Sequence, residues 1–497
     1  MPVSFNNIPA NLRVPLFYAE VDNSQAGIFS QNLRALLIGQ RLSTGTIAEG
    51  VPTLVSTPDQ AKTFFGKGSM LARMVEAFRA NNLSTELWCI ALDDAVAAVA
   101  AAADITITGT ATAAGTLSLY IAGQRVQVTV PSGATATEVA TAIAAAVQAD
   151  TNLPVSATSA LGVATLTARN KGTVGNGIDL RINYLGALGG EATPAGISVA
   201  IDAMADGATD PDLADAIAVM GDEAYEYVVI PYTDSTALNL IGAEMNDTVG
   251  RWSYARQLYG HVYSARTGTA SELDTFGDAR NDPHVSVVGY ASSPTPAYEV
   301  AAMFGAVAAR ALSIDPARPL QTLPLLGFRA PVPAARFVFA ENQALLHSGV
   351  STLAYEGGEA RIQRAVTTYR VNAFGEPDVS FLDVTTLATL SYVLRSMRQR
   401  ITQKFPRHKL ANDGTRFGPG QAIVTPNIIR SELIAHYSEL EFLGLVENVE
   451  AFKSHLIVER NATDPNRIDV VYPPDLVNQL RIFAVLAQFR LQFATAA

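Results

Sequence analysis

Five short, almost uninterrupted apolar runs constrain this chain more than anything else in it: 33–38 (LRALLI), 87–92 (LWCIAL), 227–231 (YVVIP), 260–263 (GHVY) and 284–290 (HVSVVGY). A strand that is apolar on both faces needs cover on both, as in a parallel sheet with helices above and below. The segments between the runs supply that cover. Residues 57–65, 69–80, 213–221, 236–254, 270–281 and 297–312 read as helices, the second with Met70, Met74, Val75 and Phe78 on one side. The nine-residue apolar run 95–103 is also expected to be a helix, too short to cross a membrane. The alternation stops after 103 and resumes near 195, so one sheet is expected, split in sequence between 29–103 and 195–334.

The interruption, 104–188, is built from Thr, Ala, Val and Gly. Residues 117–121 and 125–130 flank Ala122-Gly123-Gln124, a hairpin pattern. Thr135, Thr137 and Glu138 form a capped entry to an Ala-rich helix, and alternation returns at 155–168 and 178–184. This reads as a β-rich inserted domain on the surface.

At 497 residues the chain is expected to hold two to four domains. A net charge of −11 argues against wrapping nucleic acid. The single cysteine, Cys89, sits in an apolar run and reads as a buried, inert thiol, which fits a reducing cytoplasm. The opening MPVSFNNIPANLR lacks a secretory pattern, and no run of eighteen apolar residues suggests a membrane span.

The Pro-rich segment 316–333 reads as a linker into an α+β C-terminal domain, 335–483. Its densest signal is 348–409. There 361–371 reads as a strand, Asn372, Gly375, Pro377 and Asp378 as a turn, and Asp383 as the cap of a long helix. That helix buries Val384, Leu387, Leu390, Leu394, Met397 and Ile401 at spacings of three and four. It ends in Arg395, Arg398, Arg400, Lys404, Arg407 and Lys409, which either satisfy the helix dipole or form a patch for an acidic protein partner. Thr425-Pro426 opens a further helix, and 453–460 with 467–472 read as a hairpin.

Both ends look like arms. Residues 1–28 hold one strand-like stretch carrying Val14, Leu16, Tyr18 and Val21, either an extended segment that pairs elsewhere or a first core strand. Residues 484–497 finish a strand-like run in which Phe483, Val485, Phe489, Leu491 and Phe493 alternate with other residues. Such a strand is a hazard unless it is central in a sheet or docks on a neighbour.

Catalytic chemistry is hard to assemble. Gly66-Lys67-Gly68-Ser69 precedes a helix, but Ala61 stands where a phosphate loop needs its first glycine. The glycines of 172–177 have the wrong spacing for a dinucleotide loop. The six histidines never pair at three or four residues, and there is no G-x-S-x-G elbow. No catalytic, cofactor-binding or metal-ligating residue is therefore assigned.

Several stretches resemble the contractile tail sheath proteins of bacteriophages, the Mu-like branch above all. They are the "RAVTTYRVN…G…D…FLDV.TLATLSYV" block, the opening "IP.NLRVPLFYAEVDNS.A", "A…FFGKGSMLARMVEAFRANN" at 61–82, "GTRFGPGQAIVTPNIIRSELI" and the closing "DVVYPPDLVNQLRIFAVLAQFRLQF". The resemblance implies a structural, non-enzymatic subunit that assembles helically with itself in the host cytoplasm. Its implied partners are the tail tube, baseplate and tail terminator proteins, with no cofactor and no direct nucleic acid, and its place is the virion tail. It also implies that the arms add strands to neighbours' C-terminal domains and act as hinges when subunits slide during contraction. The expected fold class is thus α/β: an interrupted α/β core, a β-rich insertion, an α+β C-terminal domain and two extended arms. The alternatives are a subtilisin-like or other α/β hydrolase, and the sheath of a type VI-like or bacteriocin apparatus.

Overall fold

The computed structural model describes Val14 and residues 33–491. They fall into two compact units, 33–316 with 320–391, and 317–319 with 392–491.

The larger unit opens with β1 (Arg34–Gln40), β2 (Thr53–Leu54), α1 (Pro58–Phe65), α2 (Met70–Asn81) and β3 (Glu86–Leu92). The insertion follows as β4 (Ala102–Gly109), β5 (Gly115–Ile121), β6 (Gln124–Val130), α3 (Ala136–Ala149), β7 (Val155–Ala160), β8 (Val163–Ala168), β9 (Leu180–Ile182) and β10 (Ile197–Ile201). The chain returns to the core with α4 (Ala214–Met220), β11 (Tyr227–Val229), α5 (Ser235–Met245), β12 (His261–Thr267), α6 (Ala270–Asp278), β13 (Val285–Tyr290) and α7 (Ala297–Ile314). Next come α8 (Phe339–His347), β14 (Val350–Glu356) and β15 (Glu359–Arg364).

The five apolar runs form the central strands of one eight-stranded sheet, ordered β15-β14-β13-β12-β11-β1-β3-β2. From β14 to β3 every pairing is parallel. Strand β13 is buried at all six positions, as a strand covered on both faces must be. On one side α2 and α7 share a core with Leu37, Cys89, Val229 and Tyr263. Helix α7 has the length and apolarity of a membrane span, yet two thirds of it is buried in this core. Its Gly305 lets it press on the sheet, since a Cβ there would lie 2.4 Å from Val229 Cγ2.

The insertion is two antiparallel sheets, β10-β4-β8-β7 and β6-β5-β9, with α3 packed in the same apolar core. The β5–β6 hairpin and the Thr135–Glu138 capping box lie where the sequence puts them. The run 95–103 is not a helix. Its backbone pairs with the returning strand instead, through Val99 opposite Ala208 and Ala102 opposite Ala205. Helix α5 likewise stops at Met245, because the Asn246 side-chain oxygen takes the amides of Thr248, Val249 and Gly250.

Two further expectations fail in the 335–391 region. Strand β14 pairs with β13, so 320–391 cluster with the core rather than opening a separate C-terminal domain at 335. The strand expected over 361–371 ends at Arg364, since Thr367 and Thr368 donate to Leu382 and Val285 rather than to a ladder.

The chain leaves the larger unit within α9 (Val384–Lys404), whose residues from Tyr392 onward belong to the smaller one. That unit continues with β16 (Lys409–Leu410), β17 (Ile423–Val424), α10 (Pro426–Phe442), α11 (Val449–His455), β18 (Ile457–Arg460) and β19 (Ile468–Val471). Val393, Leu433, Tyr437, Leu440 and Phe452 make its core, with the Tyr437 and Phe452 rings stacked at 3.8 Å.

Candidate functional site

Among the described residues the smaller unit carries two sheets of two strands each, and β18–β19 pair antiparallel from Ile457 opposite Val471 to Arg460 opposite Ile468. A lone two-stranded sheet is marginal and leaves both outer edges with unpaired backbone groups. Ile457, Val470 and Val471 are exposed apolar residues on it. Beyond it the chain is held through Val446 opposite Leu476, Val477 donating to the Leu445 carbonyl, and Gln479 donating to the Ala317 carbonyl at 2.8 Å.

After Gln479 the chain runs out with its apolar side chains in solvent. Phe483 is 82% exposed, Phe489 85% and Leu491 97%, with Val485, Ile482 and Leu486 similarly bare. The strand expected here is not formed among the described residues. An extended strand needs a ladder partner, and none of the 480–491 segment joins a sheet of other described residues. Of the opening arm only Val14 is described, and it is exposed. Leu16, Tyr18, Val21 and Phe493 lie outside the described residues.

The six basic residues of α9 and its exit do not share one role. Arg400 donates to Glu432 and Glu439, and Lys404 donates to Glu432 at 2.5 Å, all between α9 and α10. Burial pushes the Glu432 carboxyl up, but its bonds from Lys404 and Arg400 outweigh that and hold it below the usual range. Lys409 donates to Gln421. Arg395 is half-buried, while Arg398 and Arg407 are exposed. The sequence reading missed Glu432 and Glu439; the signal was acidic residues at i and i+7 on a helix otherwise apolar along that flank.

The phosphate-loop lookalike is closed. Ser69 caps α2, and the Met70 amide is taken by Asn170 Oδ1 at 2.8 Å, so the helix N-terminus already holds a carbonyl where an anion would sit. The 172–177 glycine loop is a short turn whose Thr173 and Val174 amides go to Asp210. Three histidines contact serines: His261 with Ser286, His436 with Ser396 and His455 with Ser454. A triad needs a carboxylate on the far imidazole nitrogen. Among the described residues His261 and His436 have no partner there, and His455 uses the same Nδ1 for Ser454 and a backbone carbonyl. Burial pushes the Cys89 thiol up, away from the thiolate a nucleophile needs. No metal-binding cluster occurs among the described residues.

Three family models match successive stretches. They are the phage tail sheath β-sandwich domain over 95–202, the sheath central domain over 206–368 and the sheath C-terminal domain over 376–490. The Mu-like prophage FluMu tail sheath protein of Haemophilus influenzae is 48% identical over 494 residues, covering 99% of this chain and 100% of its own. The chain belongs to the contractile phage tail sheath family. It is a Mu-like sheath subunit, and the hydrolase reading finds no support beside it. Among solved structures, the sheath tail protein of Desulfitobacterium hafniense is 13% identical over 93% of this chain and all of its own, with a TM-score of 0.47. That of Listeria innocua is 11% identical over 92% and 95%, with a TM-score of 0.48.

Proposed function

We propose that this sheath subunit polymerises by lending its apolar tail to a neighbour. The observation that carries this is the run of solvent-exposed apolar side chains from Ile482 to Leu491, in a chain that supplies its own two-stranded sheet at β18–β19. Adding the tail of one copy to the edge of that sheet in another satisfies backbone groups at about 0.5–1.5 kcal/mol net per bond. Burying each Phe or Leu adds roughly 1.5–3 kcal/mol. An opening arm bearing Leu16, Tyr18 and Val21 would pair on the other side.

Subunits tied in this way can slide as rigid bodies while the arms bend, which is how an extended array shortens and widens without nucleotide. The sheath would surround a tail tube, meet it through the exposed Arg398 and Arg407, and end on baseplate and terminator proteins. It would be assembled in the host cytoplasm and carried in the virion tail.

The test is removal of residues 484–497, followed by electron microscopy across a concentration series. The full chain should form striated hollow tubes, and the shortened chain should stay folded and monomeric. Normal tubes from the shortened chain would end the tail-exchange reading.

A further inference from the structure

The inserted domain is joined to the core through a polar junction. Both chain crossings are clasped to the 170–174 loop: Asp94 accepts from Asn170 Nδ2 and the Lys171 amide on the way in, and Asp210 from the Thr173 and Val174 amides on the way out. Two buried side chains here line one cavity and have an unmade bond among the described residues. Gln40, the last residue of β1, is fully buried, and its Nε2 donates to Asp94 Oδ1 and to the Lys171 carbonyl, both at 2.7 Å. Two acceptors on that nitrogen fix the amide orientation, so Oε1 is the atom without a partner among the described residues. The Tyr298 hydroxyl of α7, 3% exposed, lies beside the Arg73 guanidinium and has no acceptor for its own proton among the described residues.

Gln40 and Tyr298 line the same small cavity of about 20 Å³, walled also by Met70, Pro154, Asn170 and Ile178. That volume takes one water, and a buried water needs two or more polar partners. Asn170 cannot donate to Gln40 Oε1, since its nitrogen already donates to the Arg41 carbonyl and to Asp94. We infer that a single ordered water is bound here, donating to Gln40 Oε1 and sharing its second bond with the Tyr298 hydroxyl. The water then completes the bonding of Gln40 and Tyr298 where the inserted domain meets the core.

A map of the protein at a resolution that shows ordered solvent should contain a peak within hydrogen-bond reach of both atoms. A map with waters elsewhere in the core and none here would overturn the inference. Thermal melting of the Gln40→Met, Tyr298→Phe and double variants gives an independent reading. A shared water makes the second substitution lower the melting temperature less than it does alone, whereas additive shifts would count against it. The loss of the Gln40 Nε2 bonds, and the nearness of Arg73 to Tyr298, enter both halves of the cycle and cancel.

Discussion

Arg73 of α2 and Glu299 of α7 form an ion pair at 2.6 Å with both side chains almost out of solvent. Arg73 also donates to the Asn152 carbonyl at 3.1 Å, so the same guanidinium ties two core helices to the inserted domain. Burial pushes the Glu299 carboxyl up, and Arg73 only partly offsets this. Removing one partner strands the other charge in a low-dielectric site. Glu299→Ala is expected to cost about 3–5 kcal/mol, read as a lower denaturation midpoint of the unassembled chain. Arg73→Met combined with Glu299→Leu should recover much of that loss. A double variant worse than the single would show that the guanidinium matters for its carbonyl bonds instead.

His436 predicts a pH dependence. It is buried on α10 against Ser396, and burial, with the nearby Arg400 cation, holds its pKa down at about 4. The folded chain therefore keeps this imidazole neutral while the unfolded chain protonates it below the ordinary value of 6.5. Its effect is nil above pH 6.5. As pH falls from 6.5 towards 4 the unfolded state gains protons that the folded state does not, and stability drops by on the order of 1 kcal/mol per pH unit. His436→Gln should flatten that slope in equilibrium unfolding of the chain. His261, buried and held well below its usual range, acts with the same sign and remains in the variant as background.

Gly68 predicts a local clash. Its φ is +75°, and a Cβ there would lie 2.4 Å from the Leu153 carbonyl oxygen in the insertion. The left-handed backbone alone costs a side chain about 1–2 kcal/mol. The clash is with backbone, which cannot swing aside. Gly68→Ala should therefore lower the melting temperature and speed hydrogen exchange at 151–153. An unchanged exchange rate there would mean the insertion shifts as a whole to make room.

Legibility in the sequence followed the range of the interaction. The apolar runs announced the parallel sheet because double-sided burial leaves its mark residue by residue, as in 284–290. The Thr135–Glu138 and Thr425-Pro426 caps were readable because a cap is made within four residues. What could not be read depends on distant partners. Residues 95–103 have helical composition, yet Val99 finds its bonds at Ala208. The basic end of α9 reads in sequence as a helix end satisfying its dipole or as a patch for an acidic partner, and neither reading contains the α10 carboxylate Glu432 that takes Arg400 and Lys404. Charge reversal aimed at a tube contact therefore belongs at Arg398 and Arg407, because Lys404→Glu would break a bond inside the unit.

The tail offers the sharpest separation of folding from assembly. Leu486 is 83% exposed and Phe489 85%, so neither contributes to the core of its own subunit. Replacing both with aspartate removes no packing from the monomer, and its melting temperature should stay within about 0.5 kcal/mol equivalent of the parent. In a tail buried against a neighbour the same change places two carboxylates where apolar side chains belong, a cost of several kcal/mol per contact. Repeated along a helical array, that is enough to abolish tubes. The expected outcome of Leu486→Asp with Phe489→Asp is a folded monomer that forms no tubes at concentrations where the parent does, and that does not join parent tubes when mixed. Tubes of normal length from the variant would show that subunits are held by other surfaces and that these side chains stay in solvent within the sheath.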